Sequence, residues 1–155
     1  MVDTRTKEQR HKIMAAVRSK DTQPELLVRK YLWAHGIRYR LHLKSLPGTP
    51  DIVIPKLKIV IFVHGCFWHG HESCSLGRLP KSHLDYWKEK IEKNKNRDRK
   101  SLKQLKEMGW RVIIIWNCQL RTNKNARISL PKILKEITIL SEGVAKECNY
   151  GTPRK

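Results

Sequence analysis

The sequence is poor in acidic residues and lacks any long apolar run. It contains 14 Asp and Glu against 33 Lys and Arg, a formal net charge of +19, and such a positive field attracts polyanions. No apolar stretch approaches the roughly 20 residues that span a membrane, and the amino terminus lacks the apolar core of a secretory signal. We therefore expect a cytoplasmic protein that binds nucleic acid and has no membrane partner.

The chain also lacks internal repeats and low-complexity blocks. Its 155 residues, 39% of them hydrophobic, are enough for one globular core. We predict a single domain over residues 21–142. A basic arm at residues 1–20, free to lie along phosphates, precedes it, and a loose tail at residues 143–155 follows.

Hydrophobic periodicity predicts an α/β order of elements within this domain. In chain order they are a helix at 22–35, a half-exposed strand at 37–43, a hairpin of 52–54 and 59–63, a helix at 82–108, a strand at 111–116 and a helix at 131–142. A helix between two buried strands is typical of a right-handed crossover that joins parallel strands. We therefore expect the strands at 59–63 and 111–116 to lie side by side.

The pairing of the hairpin decides whether two polar residues meet. If Ile54 lies opposite Ile61, then Asp51 lies opposite His64, and both side chains project from one face of the sheet. A slip of one residue would place them on opposite faces. The prediction of a shared site for Asp51 and His64 is conditional on this register.

The stretch "FVHGCFWHGHESCSLG" holds three of the seven histidines and two of the four cysteines. Within it Cys66, His71 and Cys74 have the spacing C-x4-H-x2-C, and Cys118 follows the next parallel strand. Matching ends of adjacent parallel strands lie about 5 Å apart, and three Cys with one His form a common structural zinc set. The alternative is a group of buried free thiols beside a surface His; Cys148 has no comparable support.

Four further polar residues indicate hydrolytic chemistry. Asp51 offers a carboxylate to a hard cation, and His64 and His69 can transfer protons near neutral pH. Asp98 falls on the inward stripe of helix 82–108, where a carboxylate needs a partner, and it could orient one of the histidines. With a polyanionic substrate, this set predicts phosphodiester hydrolysis assisted by Mg²⁺; alternatively, each histidine is an ordinary core or surface residue.

Three aromatic residues have two interpretations. Phe67 and Trp68 lie within the loop that contains Cys66, His71 and Cys74, here called the Cys/His loop. There they could pack over the metal or form a wedge that enters between base pairs. Trp87 could cap the core at the start of its helix or join that wedge.

Several stretches together resemble the very-short-patch-repair (Vsr) mismatch endonucleases: "SLPGTPDIVI", "IVIFVHGCFWHGH", "KNKNRDR" and "GWRVIIIW". The similarity covers about residues 5 to 120. It implies an α/β fold like that of type II restriction endonucleases, with a mixed sheet flanked by helices and a structural zinc site. It also implies a monomer that nicks double-stranded DNA, with Mg²⁺, on the 5′ side of the T in T·G mismatches left by deamination of 5-methylcytosine. Such an enzyme would work at the nucleoid, with mismatch-repair proteins as further partners.

The resemblance also implies metal ligands. Asp51 matches the Mg²⁺-binding aspartate, the carbonyl of Val63 a second ligand, and Glu25 an acidic residue of the outer shell. The implied zinc ligands are Cys66, His71, Cys74 and Cys118. The stretch "HESC" departs from the family pattern by one extra residue before Cys74.

The remaining implied roles concern chemistry and DNA contact. His64 matches the residue that supports the attacking water, and His69, paired with Asp98, matches the general acid. The implied DNA-contacting residues are Met14 in the arm and Phe67, Trp68 and Trp87. Two other functions would also explain part of the pattern: a zinc-containing module that binds nucleic acid without cutting it, and an RNA-associated structural protein.

Overall fold

The computed structural model describes the backbone of residues 6–148 and their side chains, apart from those of residue 10 and residues 143–148. Residues 1–5 of the predicted arm and 149–155 of the predicted tail lie outside this range. The elements are α1 (Lys7–Ala16), α2 (Gln23–Ala34), β1 (Arg40–Leu41), β2 (Ile52–Ile54), β3 (Ile59–His64), α3 (Leu84–Glu107), β4 (Arg111–Trp116) and α4 (Asn123–Cys148).

The four strands form one mixed sheet in the order β1-β2-β3-β4. The first two pairs are antiparallel, and β3 and β4 are parallel with His64 beside Trp116 at their carboxyl ends. The predicted hairpin and crossover are therefore confirmed, with α3 as the crossover helix. This arrangement brings the loops that follow β3 and β4 to the same edge of the sheet.

The hairpin register differs from the pairing on which the predicted Asp51–His64 site was conditional. Ile54 pairs with Ile59 and Ile52 with Ile61, so the register is shifted by two residues from the conditional pairing of Ile54 with Ile61. The cause is a tight 3-10 turn that Lys58 closes in the left-handed region at φ 51. A slip of two residues preserves the face of every side chain. Asp51 and His64 accordingly line one cleft.

Helices cover both faces of the sheet. One face packs Ile52, Ile61 and Ile115 against α2 and α4, and the other packs Val60 and Phe62 against α3. Five of the six residues of β3 are buried, as predicted for a strand covered on both sides. The carboxyl end of β3 is thus a rigid platform beside α3.

Two elements have other bounds than predicted. The strand expected at 37–43 is limited to Arg40–Leu41, because His42 enters the left-handed region at φ 46. The helix expected to begin at Pro131 begins at Asn123 instead, where the Thr122 hydroxyl accepts a hydrogen bond from the Asn125 N–H at 3.1 Å and so caps the first turn.

The last helix passes through its proline and continues to Cys148. Residues 143–148, predicted as the beginning of a loose tail, are therefore helical. Among the described helices, none combines the length and apolar character that crossing a membrane requires.

Candidate active site and metal-ligand cluster

A cleft of about 810 Å³ opens at the carboxyl end of β3, between α3 and the segment that joins α1 to α2. Basic side chains from both sides line it: Arg18, Lys20, Lys90 and Arg97. The predicted site residues in its lining are Met14, Glu25, Asp51, Val63, His64, Trp68, His69 and Asp98. One concave, positively charged surface thus contains all the residues predicted for catalysis.

Asp51 presents a half-buried carboxylate at the start of β2. Its Oδ2 accepts a hydrogen bond from the Val63 N–H at 2.7 Å, which ties it to the end of β3. Burial raises the pKa of Asp51 to about 6, although the Val63 N–H opposes this shift. A bound cation most strongly stabilises the charged form of a carboxylate that is poorly hydrated in the free protein.

His64 and His69 stack face to face, with ring centroids 3.8 Å apart and planes 5° from parallel. The Nδ1–H of His69 donates to Asp98 Oδ2 at 2.6 Å, which confirms the expectation that Asp98 has a partner. Burial, followed by the nearby charge of His69, lowers the pKa of His64 to about 4. Burial opposes ionisation of Asp98, but its hydrogen bond and ion pair with His69 outweigh burial and lower the pKa of Asp98. His64 is therefore neutral at physiological pH, and His69 is the histidine with a carboxylate partner.

A second cluster lies behind the cleft. The ligand atoms of Cys66, His71, Cys74 and Cys118 all fall within 4.8 Å of one another, so the prediction that topology brings Cys118 to the loop is confirmed. Cys118 Sγ is 3.5 Å from His71 Nδ1, close to the roughly 3.6 Å that separates a sulfur and a nitrogen ligand on a tetrahedral zinc. The donor set fits a structural zinc ion.

The thiols of this cluster perturb one another. Burial, together with hydrogen bonds and charge from Cys66, raises the pKa of Cys118 to about 12, and burial likewise raises the pKa of Cys66. Burial also disfavours the Cys74 thiolate, but hydrogen bonds from Cys66 and two backbone N–H groups outweigh it and lower the pKa of Cys74. Several packed thiolates need a bound cation to compensate their charge.

Local contacts hold the Cys/His loop in place. The Cys66 carbonyl accepts from the His71 N–H at 2.9 Å. A Cβ on Gly77 would lie 2.1 Å from the His71 carbonyl oxygen, so only glycine fits there. In the stretch with the extra residue, Glu72 pairs with Lys95 of α3 at 2.6 Å, and Cys74 still reaches the cluster.

Phe67 and Trp68 of this loop form one edge-to-face cluster with Trp87 of α3. Phe67 lies 5.1 Å from Trp68 and 5.2 Å from Trp87 between ring centroids. Trp87 is only 6% exposed, so of its two interpretations the structure favours a cap on the core at the start of α3. Phe67 and Trp68 are half-buried, and the Asn94 amide N–H holds the loop by donating to the Trp68 carbonyl at 2.9 Å.

Sequence reasoning missed a polar network at the base of the cleft. The guanidinium of Arg29 donates to Asp21 at 2.6 Å and to Glu25 at 2.9 Å, and its Nη2 lies 2.9 Å from His42 Nε2. The i,i+4 spacing of Glu25 and Arg29 was a visible signal of one of these contacts. His42 gave none, because it falls in an alternating stretch that indicates a half-exposed strand.

Sequence reasoning also missed the role of Trp116 at the end of β4. Its ring stacks on His71 at 4.1 Å between centroids and meets His64 edge-on at 5.3 Å. The metal-ligand cluster and the histidine pair therefore pack against the same indole ring.

Comparisons with known proteins place this site in a protein class. Residues 2–75 match the family model described as DNA mismatch endonuclease Vsr. The chain is 54% identical over 120 residues to the type II nicking enzyme V.XorIIP of Xanthomonas oryzae pv. oryzae, covering 77% of this chain and 88% of that protein. It is 44% identical over 121 residues to the DNA mismatch endonuclease Vsr of Escherichia coli K12, covering 78% of this chain and 77% of that protein.

The chain is thus a DNA endonuclease of mismatch repair, and the basic cleft with its carboxylate and histidine pair is its candidate site. The chain belongs to the Vsr family of DNA mismatch endonucleases. This membership excludes the two other functions considered from the sequence, a zinc module that binds without cutting and an RNA-associated structural protein.

Proposed function

We propose that this endonuclease uses Mg²⁺ to nick one strand of double-stranded DNA on the 5′ side of the T in a T·G mismatch, the lesion left by deamination of 5-methylcytosine. The observation that carries the proposal is the convergence of the Asp51 carboxylate with the His64, His69 and Asp98 group in one basic cleft. Resemblance to the Vsr family supports the T·G preference, and the mixed sheet with helices on both faces supports a fold of the type II restriction-endonuclease kind.

The Mg²⁺ ligands in this proposal are the Asp51 carboxylate and the Val63 carbonyl, with Glu25 in the outer shell. Oxygen donors are what a hard cation prefers, and the half-buried Asp51 carboxylate fits that requirement. When bound, the cation would polarise the scissile phosphate and acidify a water molecule.

The chain's own residues supply the proton transfers. Neutral His64 has a nitrogen lone pair with which to accept a hydrogen bond from the attacking water. His69 is anchored through Nδ1 by Asp98. Its Nε2 is therefore the nitrogen that would donate a proton to the leaving oxygen, as a general acid does. The face-to-face stack favours a single positive charge on the pair, because two stacked imidazolium rings would repel.

Zinc, in this proposal, is structural. Cys66, His71, Cys74 and Cys118 provide all four positions of a tetrahedron, and a closed ligand set leaves no position for substrate. The ion would fix the loop that carries His69 and the aromatic cluster. Its influence on the chemistry is therefore indirect, through the position of that loop.

Recognition of the mismatch is assigned to the aromatic cluster and the arm. Phe67 and Trp68, backed by Trp87, would enter the base stack, and Met14, which lines the cleft on α1, would approach from the opposite side. Inserting a wedge costs less at a mismatch than at a paired step, so insertion itself discriminates. We further propose a cytoplasmic monomer that acts on nucleoid DNA, with mismatch-repair proteins as partners.

A nicking assay on a library of duplexes tests the substrate assignment. Each duplex contains one T·G pair within randomised flanking pairs, with the two strands labelled separately, and a T·A library with the same flanks is the control. We expect a Mg²⁺-dependent nick 5′ of the T, in the T strand only, within a subset of flanks. Equal nicking of the T·A library, nicking of the G strand or no nicking in any context would contradict the proposal.

A further inference from the structure

A buried arginine of α2 lies at the centre of a polar network beside Asp51. Arg29 is 7% exposed, and the ligand atoms of Asp21, Glu25 and His42 around it lie within 4.8 Å of one another. Such a grouping resembles a metal site, but the guanidinium already donates to all three at 2.6 to 2.9 Å. The cation at this position is therefore the arginine itself.

The contact between Arg29 and His42 decides where the imidazole holds its proton. A guanidinium only donates hydrogen bonds, so His42 Nε2, 2.9 Å from Arg29 Nη2, must accept with its lone pair. A neutral imidazole that accepts at Nε2 carries its hydrogen on Nδ1. His42 Nδ1 lies 3.9 Å from Asp51 Oδ1, so the proton is on the nitrogen that faces the proposed metal-binding carboxylate.

Nearby carboxylates do not reverse this assignment. The oxygens of Asp21 and Glu25 lie 3.9 Å and 3.7 Å from His42 Nε2, and two such charges alone would favour an imidazolium. Both carboxylates, however, accept from Arg29 at shorter distances, 2.6 and 2.9 Å, and an N–H on Nε2 would point a second donor at the guanidinium. In the neutral Nδ1–H tautomer, His42 Nε2 accepts from Arg29 and the Nδ1–H faces Asp51. Arg29 still donates to Asp21 and Glu25 in this form.

The backbone holds His42 close to its target. The His42 N–H donates to the Asp51 carbonyl at 3.5 Å. An N–H···O bond spans about 2.7 to 3.2 Å, so a movement of about 1 Å would close the side-chain gap. Asp51 Oδ2 is already held by the Val63 N–H, and a donor on Oδ1 would fix the plane of the carboxylate.

We propose that Arg29 and His42 are positioning residues for Asp51: Arg29 sets the tautomer of His42, and the His42 Nδ1–H orients the carboxylate that receives the cation. This inference rests on the proposed role of Asp51 in metal binding. It gives α2 a second residue that influences the reaction, Arg29, in addition to Glu25.

The tautomer is measured directly in the metal-free protein by long-range ¹H–¹⁵N correlation of the imidazole nitrogens. We expect His42 in the neutral Nδ1–H form at neutral pH, and a shift toward the Nε2–H form in Arg29→Met. An Nε2–H or doubly protonated His42 in the unsubstituted protein would overturn the inference. The spectrum of the unsubstituted protein, on which the inference stands or falls, needs neither DNA nor a folded variant.

A matched pair of substitutions tests the consequence for the cation. The amide of His42→Gln both accepts from Arg29 and donates to Asp51, whereas His42→Leu does neither. Loss of a supporting hydrogen bond to a metal ligand costs 10- to 100-fold in affinity, so His42→Leu should weaken Mn²⁺ binding, measured by calorimetry without DNA, about tenfold, and His42→Gln at most about threefold. Equal affinities of the two variants would overturn the inference. Nicking by Asp51→Asn would instead contradict the proposed function and leave the tautomer result standing.

Discussion

Asp51→Asn is expected to lower the rate of nicking at a T·G mismatch by about 10³-fold or more, because a catalytic cation supplies several kcal/mol and each 1.4 kcal/mol is about tenfold in rate. The amide has the shape of the carboxyl group, and its oxygen can still accept from the Val63 N–H. The fold and the affinity for the mismatched duplex should therefore persist. Single-turnover nicking and a binding assay in Ca²⁺ separate the two effects.

A matched control removes an acidic charge elsewhere on the chain. Glu107→Gln changes an exposed residue at the end of α3, away from the lining of the cleft, and should nick at the rate of the unsubstituted protein. If Asp51→Asn loses mismatch binding along with nicking, Asp51 has a structural role. If it nicks normally, Asp51 has no role in the reaction.

Cys118→Ser is expected to lose bound zinc and to unfold at a lower temperature. It removes the one ligand from the turn that follows β4, and structural zinc contributes directly to folding free energy. For a chain of this size 1 kcal/mol corresponds to about 2–4 °C in Tm, so a loss of several kcal/mol should lower Tm by about 10 °C. Atomic emission for zinc and differential scanning calorimetry are the measurements.

The natural control is the remaining cysteine. Cys148→Ser alters a thiol outside the predicted ligand set and should keep both zinc and Tm. Full zinc occupancy in Cys118→Ser, or equal loss in both variants, would contradict the assignment of Cys118 as a ligand.

Residues whose neighbours follow from topology were predictable. Cys118 was placed beside Cys66 because matching ends of parallel strands meet, and the cluster confirms it. Asp98 was expected to have a partner because it falls on the inward face of a helix, and His69 provides one. For Asp98 the periodicity of the helix fixed the direction of the side chain, and for Cys118 the parallel pairing of the two strands fixed its neighbours.

Features that depend on turns and side-chain reach were not predictable. The hairpin register followed from the left-handed Lys58, and the short β1 from the left-handed His42; nothing in either residue type requires that conformation. The start of α4 was obscured because Pro131, typical of a first turn, lies well inside the helix. The Arg29–His42 contact joins residues from two elements whose approach only tertiary packing determines.

The central claim is that Asp51 holds the cation that activates water beside His64 and His69. Crystals soaked in Mn²⁺, with anomalous diffraction collected at the manganese edge, test it directly. We predict an anomalous peak at about 2.1 Å from an Asp51 carboxylate oxygen, absent in Asp51→Asn crystals treated alike. An ordered ion only between Asp21 and Glu25, or none at Asp51 in crystals of nicking-competent protein, would contradict it.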